Sequence, residues 1–350
     1  MAAFNGTLNS NEIFSALYNM IISVQTFADN IKGTYSSLVD RARVDGSLYG
    51  DTKLYIATDA LVSHEWGNDA EAENLLELDR PENPDVQKIT LDTFRQIRLT
   101  TDNYLSKRAF GTAGAFQQFN DTLKGWIRDT KRVYDSTTYN AYVGTAESTI
   151  GKQQLTITPI AGQNDALTMA VALADLLVDL KDVGRDYNDY GNLRSYSEDD
   201  FLVVWNAKHY NTLTKMDLPT IFHKDGLLSE FEQTVLPSRW FGKVNAGATA
   251  GNAQGTVRSM IEQVIGSNHY FAGDSIKTGD TAPAGTSYTE DDTIAFKVMT
   301  KGSIPYMSAF EVGTSFFNPR SLTETNYLTW GHNTLEYLKN YPLITARFAE

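Results

Sequence analysis

The chain has 350 residues, 41% hydrophobic and 21% charged, and its 30 basic against 43 acidic side chains give a formal charge of −13. That length exceeds what one core usually fills, so two lobes or one core with arms are expected, and the apolar content, with 18 Tyr and 17 Phe, excludes a disordered chain. The charge repels phosphate backbones and argues against a sequence-reading nucleic-acid binder, and the absence of cysteine excludes a disulfide framework, a thiolate metal site and a cysteine nucleophile.

The opening "MAAFNGTLNSNEIF" has no basic run before an apolar core, unlike a secretory signal, and no run of about 18 apolar residues could span a bilayer. The chain is expected to be made and kept in a reducing cytosol, without a membrane partner. Asn9 as N-cap with Glu12 three residues on starts a helix whose apolar face is Ile13, Leu17, Met20, Val24, Phe27 and Ile31, closed by Gly33. That face packs on its own domain or reaches a neighbouring subunit.

From Ser47 to Leu105 two stretches, "TKLYIATDALVSHEW" and "VQKITLDTFRQIRLTT", are rich in β-branched and aromatic residues and alternate with polar ones. They predict two long strands joined through the acidic "GNDAEAENLLELDRPENPD", where Pro81 and Pro84 discourage a ladder. An extended hairpin of this kind is marginal in water unless it packs on something else.

Phe116, Phe119, Leu123, Trp126, Thr130 and Val133, widened by Ile127 and Tyr134, predict a helix from about Gly114 to Ala141, roughly 40 Å long. Its opposite face is charged: Gln118, Asp121, Lys124, Arg128, Asp129, Lys131, Arg132 and Asp135. "NDALTMAVALADLLVDLKDVG" predicts a second helix capped by Asn164 or Asp165, and Phe201 to Trp205 a buried strand running into a helix. "GKVNAGATAGNAQGTV" predicts a mobile loop, strand and helix segments continue through "GTVRSMIEQVIGSNHYFAG", and "DTIAFKVMTKGSIPYMSAFEVGTSFF" predicts strands again.

Chemistry is sparse. The five histidines, at 64, 209, 223, 269 and 332, fall in no zinc motif. "DYNDYG" from Asp186 starts like a calcium loop but has Ser197 at its twelfth position, and no phosphate loop, dinucleotide fingerprint or nucleophile elbow is present. The neighbouring carboxylates Glu71 with Glu73, Asp199 with Asp200, and Asp291 with Asp292 suit turns and caps better than acid–base work. No catalytic, cofactor-binding or metal residue is assigned.

The order of parts nevertheless resembles the major capsid proteins of tailed bacteriophages, the Hong Kong 97-type shell fold. The likeness is carried by "RQIRLTTDNYLSKRAF" running into "GAFQQFNDTLKGWIRDTKRVYDSTTYNAYVGTAES", by "VVWNAKHYNTLTKMDLPTIFHKDG", and by "TNYLTWGHNTLEYLKNYPLITARF". The resemblance implies an α+β fold: an N-terminal arm over 1–46, an extended two-stranded loop over 47–104, a peripheral domain with a long spine helix over 105–160, a mixed α/β axial domain over 161–290, returning peripheral strands over 291–325 and a C-terminal axial segment over 326–350. It implies pentamers and hexamers closing an icosahedral shell around double-stranded DNA in the virion, with the extended loop laid over a neighbour. A separate scaffolding protein, a portal protein and, as an option, a decoration protein are the implied partners. Lys53 and Lys88 lie near where some members cross-link, with no motif marking either as reactive. Expected assembly contacts are Phe14, Leu17, Ile21 and Phe27 in the arm, Tyr55 and Ile56 in the hairpin, and Lys124, Arg128 and Arg132 on the helix. The rivals are an encapsulin-like shell around protein cargo, a tail-tube component, and a soluble hydrolase suggested by the Tyr and Trp content.

Overall fold

Two five-stranded sheets share one long helix. A computed structural model describes residues 37–46, 50–63, 80–102, 113–160, 165–215, 231–245 and 287–349. In chain order the elements are α1 (Ser37–Arg41), β1 (Arg43–Asp45), β2 (Thr52–Ala57), β3 (Asp85–Asp102), α2 (Ala113–Thr145), β4 (Gln154–Ile157), α3 (Asp165–Lys181), β5 (Phe201–Asn206), α4 (Ala207–Lys215), β6 (Glu232–Leu236), β7 (Gly242–Asn245), β8 (Ser287–Glu290), β9 (Ile294–Thr300), β10 (Tyr306–Asn318), β11 (Thr323–Asn333) and β12 (Leu343–Phe348).

The first sheet has the order β1-β10-β11-β3-β2. β10 and β11 form an antiparallel hairpin from Ser308↔His332 to Asn318↔Thr323, and β11 pairs with β3 from Thr323↔Asp102 to Asn333↔Leu91. The remaining part of β3 pairs with β2, from Thr52↔Thr90 to Ala57↔Asp85. One 18-residue strand thus belongs to the body at one end and to the hairpin at the other. Period-two alternation specifies it: Ile89, Leu91 and Thr93 are buried while Lys88, Asp92 and Gln96 are exposed.

The second sheet has the order β4-β12-β9-β5-β6, and every residue of β5 and β9 is buried. Such continuous apolar strands need cover on both faces. On one face α3 sets Met169, Leu173, Leu176 and Leu180 against Phe201, Val203, Trp205 and Phe296. On the other, Tyr139, Tyr142 and Val143 from the end of α2 meet Leu202, Val204, Phe241 and Leu343.

α2 has 33 residues, roughly 50 Å at 1.5 Å each. Its middle lies on the first sheet, where Ile127 and Tyr134 join Ile97, Leu328 and Trp330. Its end runs into the second lobe, buried all round from Val133 to Gly144 except at Asn140, which is why it outlasts the predicted end at Ala141. A Cβ on Gly144 would stand 1.9 Å from the Trp240 carbonyl oxygen, so only glycine admits this approach. Two residues of the predicted faces change sides: Trp126, placed on the apolar stripe, is 45% exposed, and Asp135, placed on the charged face, is buried.

The elements run across several of the expected boundaries. In segment 37–46, the end of the expected arm, Leu38, Val39 and Ala42 pack on Tyr139 and Tyr142 of α2. The first hairpin strand stops at Ala57, since the Thr58 carbonyl accepts from Arg194 and the Asp59 carboxylate from the Leu193 amide, drawing the chain onto the second lobe. Segment 291–325 divides: β9 belongs to the second sheet and β10 to the first, and of 326–350 the remainder of β11 stays in the first sheet while β12 joins the second. Gly242–Asn245, expected in a mobile loop, pairs as β7 with β8, and the rest of that loop lies outside the described residues, as do 255–273.

Candidate assembly surfaces

The residue groups that could carry chemistry are occupied structurally. Asp186 pairs with Lys152, and Asp189 accepts from Ser148 Oγ at 2.7 Å, Gln153 Nε2 at 2.9 Å and the Tyr337 hydroxyl, so "DYNDYG" joins the exit of α2 to the C-terminal loop. Asp200 caps the turn at Ser197, Asp291 accepts from Thr293, and Asp292 pairs with Lys208 at 2.8 Å. Glu71 and Glu73 lie outside the described residues. Among the described residues no group of three His, Asp or Glu could hold a metal ion, and no helix is long and apolar enough to cross a membrane.

Exposed contact surfaces are better defined. Leu54, Ile56 and Val86 are 60%, 65% and 54% exposed, and the register Ile56↔Val86 and Leu54↔Lys88 places them together on the outer face of the hairpin. Beneath them the hairpin is tied to its own second lobe: Gln87 Nε2 donates to the Tyr337 carbonyl and Gln87 Oε1 accepts from the Lys339 amide, both at 2.9 Å. Tyr55, expected beside Ile56 as a contact, points to the opposite face, half-buried near Tyr341, and burial raises its hydroxyl pKa. Leu54 is legible in the sequence as the period-two neighbour of Ile56, whereas Val86 reaches that face only through the cross-strand register.

A second surface is the edge of β10. Among the described residues this edge is paired only by β1, at Tyr306–Ser308, and from Glu311 to Asn318 every residue is exposed, Phe316 by 62%. An open edge presents unpaired backbone groups to any extended chain. Beside it a groove of about 500 Å³ runs between α2 and the β10–β11 hairpin, lined by Ile127, Arg128, Glu311, Thr314, Asn326 and Leu328. Arg128 in its helical wall is exposed, as is Arg132 one turn further along α2. The side chain of Lys124 lies outside the described residues, as do Phe14, Leu17, Ile21 and Phe27.

A buried polar network fixes α2 to the first sheet behind these surfaces. Asp135 accepts from Tyr306 Oη at 2.7 Å, Arg43 Nη2 at 3.1 Å and Lys131 Nζ at 3.2 Å, which brings β10, β1 and the preceding helical turn onto one carboxylate. Burial, then the neighbouring Asp135 charge, pushes the Tyr306 hydroxyl far up. On the next side chain, Tyr134 Oη lies 3.1 Å from both Arg95 Nε of β3 and His332 Nε2 of β11. No sequence motif marks this constellation, because its members come from five elements.

This fold is shared with chains from solved phage structures. A chain from the capsid structure of Staphylococcus phage Andhra is similar over 93% of this chain and 87% of its own, with TM-score 0.65 and 12% identity. A chain from a structure of native bacteriophage P68, described as showing its head fiber and inner core protein, is similar over 93% and 87% with TM-score 0.65 and 10% identity. No curated protein matches the sequence. The fold is therefore an α+β capsid fold of the Hong Kong 97 type. Residues 3–344 match the family described as Phi29-like phage major capsid protein, and the chain belongs to that family: it is a major capsid protein of a tailed phage, a structural component of the virion that works as many copies.

Proposed function

We propose that this chain, made in the bacterial host cytoplasm, assembles as pentamers and hexamers into an icosahedral shell around double-stranded DNA, with no turnover of its own. Scaffolding and portal proteins act during assembly, with a decoration protein as a further partner, and the DNA is held without sequence reading. In this reading β2, β3 and residues 58–84 form the extended loop, α2 is the spine of the peripheral domain, and the second sheet with α3 is the axial domain.

The observation that carries the contact reading is the apolar outer face of the hairpin, where Leu54, Ile56 and Val86 are each more than half exposed and lie side by side. A neighbouring copy covers it. The acidic segment 64–79, with six carboxylates and no Lys or Arg, suits the neighbour's groove beside Arg128 and Arg132. Lys124 of the same face and the arm residues Phe14, Leu17, Ile21 and Phe27 complete the contact set. Many modest contacts of this kind give high collective stability once a ring closes.

Negative-stain microscopy of the expressed chain, with and without its scaffolding protein, tests the assembly: closed shells are expected, and tubes or a lone monodisperse subunit under every condition would refute it. The contact is tested separately on a chain without native cysteine. Copies carrying only Glu71→Cys, mixed with copies carrying only Ser315→Cys, should form disulfide-linked dimers on assembly. Shells without such dimers would retain the shell and discard this docking.

A further inference from the structure

We propose that His332 is an acid-operated latch between α2 and the first sheet, holding Tyr134 while neutral and loosening that hold once protonated. The hydrogen bonds fix the direction of every proton. His332 Nδ1 lies 2.9 Å from the Asn333 carbonyl oxygen, which can only accept, so Nδ1 carries the ring proton and Nε2 is an acceptor. Arg95 Nε–H can only donate to Tyr134 Oη, and Tyr134 Oη–H in turn donates to His332 Nε2. When Nε2 gains a proton, two hydrogens face each other across the 3.1 Å contact. The hydroxyl hydrogen must then turn away, and Tyr134 Oη can keep the contact only by accepting from two cations at once, Arg95 and the imidazolium, so the hold loosens.

The groups facing the ring come from every neighbouring element. α2 supplies Tyr134 and Asp135, with Lys131 on the same carboxylate; β3 supplies Arg95 and Asp92; β10 supplies Tyr306, whose ring stacks on His332 at 5.4 Å; and β1 supplies Arg43, paired with Asp135. Burial is the largest influence, and with Arg95 it opposes the cation, while Asp135, Asp92 and the Asn333 carbonyl favour it; the net pKa is lowered from 6.5. A base whose folded pKa is depressed loses folded-state stability as pH falls through its unfolded value, and the loss is complete below the folded one. Because α2 continues into the second lobe, loosening it here frees the angle between the two sheets. This device stands whether or not the docking of segment 64–79 does.

Ring titration by NMR of the full-length, histidine-labelled chain should show His332 as the Nδ1–H tautomer, titrating below 6.5. Amide exchange of the helical segment 126–138, corrected for intrinsic rates, should rise several-fold between about pH 7.5 and 5.5 in the wild type and stay flat in His332→Gln, which keeps a donor and an acceptor without titrating. Should His332→Gln not fold, the ring is assigned by elimination, substituting the other four histidines singly. A ring titrating at or above 6.5, an Nε2–H tautomer, or the same acid response in His332→Gln would overturn the latch.

Discussion

Lys297 carries a charged head into the centre of the second sheet, wholly buried on β9, where its Nζ donates to the Ala146 carbonyl at 2.7 Å, just past the end of α2. Burial lowers its pKa from 10.5 to about 7 against the pull of Glu147 and Asp291, with Arg347 adding to the lowering. The unfolded chain holds the proton more tightly, so stability should rise as pH climbs from about 7 and be flat below it. Urea unfolding at about pH 9 is expected to give about 1–2 kcal/mol more stability than at pH 7, a gain that Lys297→Met abolishes. Asp59 works in the opposite sense: donation from the Leu193 amide and Arg185 lowers its pKa to about 2, so the tie between hairpin and second lobe survives mild acid and is lost as pH falls from about 4 toward 2. Asp135→Ala, which strands Arg43, Lys131 and Tyr306 around a missing carboxylate, should cost about 3 kcal/mol or more in thermal or chemical unfolding. None of these roles was legible. "AFKVMT" and "KRVYD" place Lys297 and Asp135 among residues that alternate or wind toward water, and only the second layer laid over each makes them interior.

At the scale of elements, the long helix was legible because a continuous 3.6-residue period survives in the sequence; which face is buried was less so, since the helix changes environment along its length. Near Trp126 one side faces solvent, and beyond Val133 all sides are enclosed. Gly144→Ala tests that enclosure. Alanine is the better helix former by about 1 kcal/mol, yet its methyl would meet the rigid Trp240 carbonyl, so a net loss of about 1–3 kcal/mol in urea unfolding is expected. The hairpin shows a related limit. Its two strands are written in β-branched alternation, but the division of β3, residues 85–90 to β2 and 91–102 to β11, depends on a strand more than 200 residues away in the chain, Thr323–Asn333.

For the whole molecule, the proposed contact face of the hairpin allows folding and assembly to be tested apart. Leu54→Asp with Ile56→Asp touches no core residue, so the subunit should keep its melting temperature and circular dichroism while closed particles disappear from negative-stain fields. Phe14→Asp with Leu17→Asp is expected to do the same through the arm. Unchanged particle yield in either variant would remove that surface from the contact set.

What the sequence by itself determined is the class and order of the described elements: a two-stranded hairpin, one very long helix, a buried strand leading into a helix, and returning strands. These follow from local periodicity and composition, which tertiary structure does not rewrite, and the order alone carried the resemblance to phage shells. What only the tertiary structure decided is which sheet each strand joins, which charged residues are interior, and which apolar ones are left outside. Those properties belong to pairs of surfaces far apart in sequence, and a side chain's burial is set by what lies across from it.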